Sequence, residues 1–310
     1  MRLIFLGTPA FAVPTLERIV EAGHQVLTVV TQPDRPSGRG QHAAAPPVKQ
    51  AAVRLGLPVY QPERVRRPEA VEHLRSLAAD AMIVVGYGQI IPQSVIDLAP
   101  RGIINVHASL LPKYRGAGPI QWAIINGETR TGVTTMQIDA GLDTGDMLLK
   151  AETEIGPEEN AVELGARLAA MGAGLLVQTL EGLERGTIVP QKQDPAEASY
   201  APLLKKEDGL IDWSQPAPSL DNRVRGLQPW PGASTSFRGQ TLHIWKSRKG
   251  GPTDAAAGRF VQLKPPVVAC GVGSLELVEV QLEGRKRMAA ADFANGQRLT
   301  DNDWLGEART

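Results

Sequence analysis

Apolar residues along the first 190 positions fall into short unbroken runs separated by stripes at helical spacing. Leu3–Leu6, Val26–Val30, 81–85 and 102–106 are such runs. Segments apolar on both faces, joined by helices, predict parallel strands of a sheet covered on both sides. Between the first two, Val13, Leu16, Ile19 and Val20 predict a helix ended by Gly23. A long helix is expected from Asn160, with Glu163 three residues on completing a capping box, a stripe of Ala161, Leu164, Leu168, Met171, Leu175 and Leu183, and Gly186 beyond its end. The last hundred residues change character. Their runs at 241–246, 258–263 and 274–280 are short and broken by Gly and Pro, the pattern of a small antiparallel barrel. Pro190 to Pro202 is polar and aperiodic and reads as a linker. The predicted organisation is therefore an α/β domain over 1–189, a linker over 190–204 and a β domain over 205–310.

Charge sharpens that division. The chain of 310 residues carries 33 Lys plus Arg against 33 Asp plus Glu, which excludes an overall basic coat or an acidic tail. Residues 1–204 hold 18 basic and 21 acidic residues, and residues 205–310 hold 15 and 12. The second domain is thus the positive one. Cys270 is the single cysteine, so no intrachain disulfide or cysteine-based zinc site can form. Arg2 before an apolar stretch imitates a secretory leader, but Gly7-Thr8-Pro9 stops the run after four residues, and a buried first strand is the expectation. With no run near the 18 or so apolar residues of a membrane span, a cytoplasmic protein is expected.

Gly7-Thr8-Pro9 stands where a dinucleotide-binding enzyme carries G-x-G-x-x-G, yet the second and third glycines are missing, and no P-loop occurs. Richer chemistry follows the run at 102–106, in Asn105-Val106-His107-Ala108-Ser109-Leu110-Leu111-Pro112. Ligands of open α/β sheets bind beyond the carboxyl ends of strands. Asn105 and His107 are two apart and share a strand face, where an amide and an imidazole can donate to one developing oxyanion. Turn formation by the asparagine and a structural histidine are the plain alternatives. Asp139-Ala140-Gly141-Leu142-Asp143-Thr144-Gly145-Asp146 lacks the calcium-loop spacing. It reads either as a solvated glycine-rich turn or as the source of a carboxylate that orients His107.

These residues resemble the folate-dependent formyltransferases that use 10-formyltetrahydrofolate. Asn105-x-His107, Ser109-Leu110-Leu111-Pro112 and downstream Asp143 carry the likeness. It is extended by Thr31-Gln32-Pro33-Asp34-Arg35-Pro36-Ser37-Gly38-Arg39-Gly40, by Arg115-Gly116-Ala117-Gly118-Pro119-Ile120-Gln121, by Gly141 to Met147, by Ile211-Asp212-Trp213-Ser214 and by Pro229-Trp230-Pro231-Gly232. The resemblance implies a Rossmann-like domain without a nucleotide cofactor, followed by an OB-like barrel. It carries catalytic roles to Asn105, His107 and Asp143, and no metal. It implies a folate pocket at Tyr87, Gln89, Ile91, Ser109, Leu110, Leu111, Pro112, Asp139 and Leu142. Ala108 departs from the glycine common in the family.

The loop at 32–40 and the second domain point, within the family, to members whose acceptor is the free α-amine of initiator methionyl-tRNA, held by its acceptor arm. A monomer is expected. Candidate RNA contacts are Arg35, Arg39, Lys206, Lys246 and Arg248, each of which as a lone residue reads equally as solvated charge. The prolines and glycines of Gln32 to Pro47 predict a mobile loop without packed structure. A formyltransferase of an amino sugar nucleotide is the rival enzyme, and an RNA-binding protein with a vestigial first domain the rival without activity. The occupied catalytic positions count against the latter.

Overall fold

The computed structural model describes residues 1–37 and 42–306. Elements run β1 (Arg2–Gly7), α1 (Val13–Glu21), β2 (Gln25–Val30), β3 (Arg35–Ser37), β4 (His42–Ala44), α2 (Pro47–Arg54), β5 (Val59–Tyr60), α3 (Pro68–Ser76), β6 (Ala81–Val85), α4 (Gln93–Ile96), β7 (Ile103–His107), α5 (Pro119–Ile125), β8 (Arg130–Gln137), β9 (Met147–Glu154) and α6 (Ala161–Arg185). They continue with α7 (Ala217–Gly226), β10 (Ala233–Phe237), β11 (Gln240–Lys249), β12 (Phe260–Leu263), β13 (Pro266–Ala269), β14 (Ser274–Leu282), β15 (Met288–Ala289) and α8 (Ala290–Gln297). Two compact units result. The first comprises Met1–Pro119, Arg130–Thr153 and Gly165–Ala201, and the second Ile120–Thr129, Glu154–Leu164 and Pro202–Thr310.

The first unit is built on a Rossmann-like sheet in the order β5-β2-β1-β6-β7-β8-β9. From β5 to β7 every pairing is parallel, whereas β8 runs antiparallel to β7, with Asn105 opposite Met136 and His107 opposite Thr134. The doubly apolar runs are buried as expected: all of Ala81–Val85 and Ile103–His107 is enclosed. Such strands need cover on both faces, and the helices supply it.

The capping box forms as read. Asn160 Oδ1 accepts from the Glu163 backbone N–H at 3.1 Å, and Glu163 Oε2 accepts from the Asn160 N–H at 3.0 Å. By length and composition α6 could cross a membrane, and half of its most apolar stretch is buried inside the fold. Leu164, Leu168, Leu176 and Leu180 of that helix are enclosed, and Thr179 meets Thr135 of β8 at 2.8 Å. Its apolarity is that of a core helix.

One expectation is corrected in the loop from Gln32 to Pro47. Its described flanks pair as the ribbon β3–β4, with Arg35 opposite Ala44 and Ser37 opposite His42. Asp34 anchors the base, bonding Lys49 Nζ and Gln61 Nε2, each at 2.7 Å. The Gln61 amide, then the lysine, hold the Asp34 carboxyl below the usual range. Arg35-Pro36-Ser37 and His42-Ala43-Ala44 show no alternation of apolar and polar positions, so the pairing has no periodic signature.

The second unit carries an antiparallel sheet in the order β10-β11-β14-β13-β12, with β15 on β14. Its core includes Trp213, Leu220, Val224, Phe237, Ile244, Leu277 and Phe293. Phe237 and Phe293 meet edge-on at 5.2 Å. Among the described residues β10 and β12 do not pair, so the sheet is an open path rather than a closed barrel.

Close approach of β8 to β9 depends on Gly132. A Cβ there would lie 2.1 Å from the Ala151 carbonyl oxygen, a backbone atom that cannot swing aside. We therefore expect Gly132→Ala to destabilise the protein by about 1–3 kcal/mol, read as a lowered melting temperature. Unchanged melting would show that the two strands can separate at no cost.

Candidate active site

Strand alternation puts Asn105 and His107 on one face at the carboxyl end of β7, and both are enclosed, at 9% and 5% exposure. A third group reaches them from the loop between β8 and β9. The ends of that loop are tied, with the Gln137 N–H donating to the Asp146 carbonyl at 2.9 Å. Gly145 lets the chain close, since a Cβ there would lie 1.9 Å from the Gln137 carbonyl oxygen. At the turn, Asp143 adopts a left-handed backbone (φ +51°), a conformation that costs a residue other than glycine.

The Asp143 carboxylate is where the three groups meet. Its Oδ1 accepts from Asn105 Nδ2 at 3.4 Å, and its Oδ2 lies 3.6 Å from His107 Nδ1. The Gly116 backbone N–H donates to Oδ2 at 2.9 Å. His107 Nε2 stands 2.9 Å from the Tyr114 carbonyl, to which it donates in the matching tautomer. A ring fixed by a carbonyl on one side and faced by a carboxylate on the other can pass a proton along its inner edge.

The segment after β7 is held from both sides. Ser109 Oγ donates to the Lys113 carbonyl at 2.6 Å, and Thr134 Oγ1 links the Ser109 carbonyl (2.7 Å) to the Leu111 N–H (3.1 Å). Lys150 Nζ caps the Leu111 carbonyl at 2.5 Å. Ser109 and Leu111 are fully enclosed, so their side chains build the segment, and Leu111 packs with Met136 and Met147. Leu110 is half-buried, and Pro112 is buried.

The stretch Tyr87–Ile91 is pinned in the same way. Thr8 Oγ1 and Gln32 Nε2 donate to the Tyr87 carbonyl at 2.8 and 3.2 Å, while Gln89 Oε1 accepts from the Val65 N–H at 2.8 Å. Burial pushes the Tyr87 phenol up. Ile91 is half-buried, but its neighbour Ile90 is 92% exposed. On the second loop Asp139 is used internally, capping Gly141 N and Thr144 Oγ1 at 3.0 and 2.7 Å, while Leu142 is left 60% exposed. Two loops of the first unit thus each offer an open aliphatic side chain.

The family model described as Formyl transferase matches residues 1–180, and Formyl transferase, C-terminal domain, matches residues 203–298. The chain belongs to the formyl transferase family. Among its relatives, methionyl-tRNA formyltransferase of Solibacter usitatus is 75% identical over 308 residues, covering 99% of each chain. The proteins of that name from Koribacter versatilis and Geobacter metallireducens are 56% and 53% identical, again over 99% of each. In fold the chain is similar to an N-formyltransferase of Helicobacter canadensis solved with folinic acid and dTDP-3-aminofucose (TM-score 0.65, 19% identity, 89% of this chain and 98% of that one). It is also similar to HypX of Aquifex aeolicus solved with tetrahydrofolic acid (TM-score 0.65, 17% identity, 94% of this chain and 46% of that one).

Of the candidate RNA contacts, Arg35 is exposed on β3, and Arg39 lies outside the described residues. Lys206 opens a short 3-10 turn and is exposed. Lys246 and Arg248 alternate along β11, and both reach Glu158, at 3.5 and 3.9 Å. They border a cavity of about 440 Å³ in the second unit that also presents Arg225, Trp245 and Arg287. Trp245 is covered there: the Arg287 guanidinium lies 4.0 Å from its ring centroid, and the His243 ring 5.8 Å away on a nearly parallel plane. Sequence reasoning missed Arg115 as a buried cation at 5% exposure and missed Gln193, its partner.

Both carboxylate oxygens of Asp143 accept hydrogen bonds from donors, so an amide at this position must turn its NH₂ toward one of them. Asp143→Asn is therefore expected to lose at least about 10²-fold in turnover while keeping its circular dichroism spectrum. Full turnover in a folded variant would make the residue a turn former only.

Proposed function

We propose that the protein transfers the formyl group of 10-formyltetrahydrofolate to the α-amino group of initiator methionyl-tRNA. The observation that carries this reading is the convergence of Asn105 and His107 on Asp143 at a strand end, in a formyl transferase chain. The neutral amine attacks the formyl carbon, and the C=O electron pair moves onto oxygen. Asn105 Nδ2–H and His107 Nδ1–H, on the ring nitrogen that the Tyr114 carbonyl leaves open, donate to that oxyanion, a stabilisation that grows as the charge develops. The Asp143 carboxylate faces the His107 ring and takes part in moving the amine's proton to the departing N10 as the tetrahedral species collapses. The loops Tyr87–Ile91, Ser109–Pro112 and Asp139–Leu142 hold the folate, with Ile90 and Leu142 giving it apolar contact.

The second domain, OB-like in this reading and spanning 205–310 after a linker at 190–204, binds the acceptor arm together with Arg35 and Arg39. Lys206, Lys246 and Arg248 supply its positive charge. The enzyme acts as a cytoplasmic monomer. Formyl transfer measured with charged initiator and elongator methionyl-tRNA and with an amino sugar nucleotide tests the assignment. Transfer to the sugar alone would overturn it.

His107→Ala and Asn105→Ala should each lower turnover by about 10²–10³-fold with folate affinity preserved, measured by single turnover and ligand titration. Parental rates in either folded variant would remove that residue from the chemistry. Arg39→Leu is expected to weaken formylation of methionyl-tRNA at least tenfold, the scale of about 1.4 kcal/mol, yet leave slow hydrolysis of the folate donor intact. Equal losses in the two reactions would instead indicate damage to the fold.

A further inference from the structure

The stretch beyond α6 carries no helical or strand period, yet it runs along the base of the Asp143 loop. Gln191 pairs with Met147 in both directions, each N–H donating at 2.8 Å. Two residues further on, Gln193 is 9% exposed with all four of its bonding positions in use. Its Nε2 donates to the Asp143 carbonyl and to the Gly145 carbonyl, both at 2.8 Å. Its Oε1 accepts from Arg115 Nε at 3.0 Å and from Nη2 at 2.9 Å.

Arg115 precedes Gly116, whose N–H donates to the Asp143 carboxylate. The backbone of Arg115 is itself fixed: its N–H donates to the Ser199 carbonyl at 2.9 Å, and its carbonyl accepts from the Ala201 N–H at 2.7 Å. A closed circuit results. It runs from the Asp143 carboxylate through Gly116 and the Arg115 side chain to Gln193 and back to the Asp143 carbonyl. Backbone and side chain of one left-handed residue are thereby held from opposite directions, which over-determines a conformation that is costly for a residue other than glycine.

We propose that Gln193 is a positioning residue of the formyl transfer, setting the Asp143 carboxylate against His107 and Asn105 through the carbonyls of Asp143 and Gly145 and through Arg115. The inference rests on the catalytic role assigned to Asp143. Gln193 touches neither substrate in this account. Its contribution is the placement of a charged group, and a displacement near 1 Å costs on the order of 10²-fold in rate.

Two substitutions separate placement from folding. Gln193→Met keeps the length and loses all four bonds. Gln193→Glu keeps an acceptor for Arg115 but turns a carboxylate toward two carbonyl oxygens, so it preserves the cation's partner while pushing the loop away. Single-turnover rates are normalised to folate sites counted by titration with tetrahydrofolate, alongside melting temperatures and the KM for each substrate. Both variants are expected to lose about 10–100-fold in rate per site, with the KM for the folate donor changed less than about threefold. In an Asp143→Asn background, Gln193→Met is expected to remove little more, because the two act through the same group.

A parental rate per folate site in the Glu variant would overturn the proposal. So would a Gln193→Met loss that is fully additive with Asp143→Asn, since a purely structural residue weakens both backgrounds alike. A parental rate for Asp143→Asn itself would instead strike down the catalytic assignment on which the proposal stands, and the two failures are thus told apart.

Discussion

Holding one carboxylate in an unfavourable backbone conformation, within reach of a strand end, is the constraint around which the first unit is arranged. Asp143 offsets its left-handed turn with three direct hydrogen bonds, from Asn105, Gly116 and the Gln193 amide, and His107 faces its carboxylate. A loop between two strands would ordinarily follow solvent. Here its ends are closed by the pairing of Gln137 with Asp146, its far side by Gln193, and its tip by Gly116. The parallel sheet supplies the other half of the geometry, because only a strand end with both faces covered presents two alternate side chains in an enclosed place.

Much of this was legible in the chain. Runs such as Ala81–Val85 can be satisfied only inside a covered sheet, and the Asn160–Glu163 spacing by itself specifies the two hydrogen bonds of the cap. Asn105 and His107 could be placed on one face by alternation alone. Other features leave no periodic trace. The reversal of β8 against β7 is a matter of connection rather than composition, and the ribbon β3–β4 pairs Arg35, Pro36 and Ser37 with Ala44, Ala43 and His42, which carry no alternating apolar pattern. Gln193 was invisible because a glutamine in a polar stretch looks like surface, and its burial is created by residues 50 and 78 positions away.

The segments Tyr87–Ile91, Ser109–Pro112 and Asp139–Leu142 also show why a residue's presence in a motif differs from its exposure. Ser109 and Leu111 spend their side chains on Lys113 and on Met136 and Met147, so the segment that follows β7 is rigid because its own residues are consumed. Ile90 and Leu142 are the reverse case, large apolar groups left outside where burial would have been favourable by about 1.5–3 kcal/mol each. The one segment is thus fixed by its own side chains, while the other two each leave one aliphatic group open.

Glu158 answers two cations of β11 at once, at 3.5 and 3.9 Å from Lys246 and Arg248. All three side chains are about half exposed or more, so neither pair adds much to stability. The arrangement instead makes the glutamate a resident counterion. An anion engaging Lys246 or Arg248 would compete with a carboxylate tethered beside them, in exposed pairs that weaken as salt rises. Displacing that single carboxylate would release both cations together.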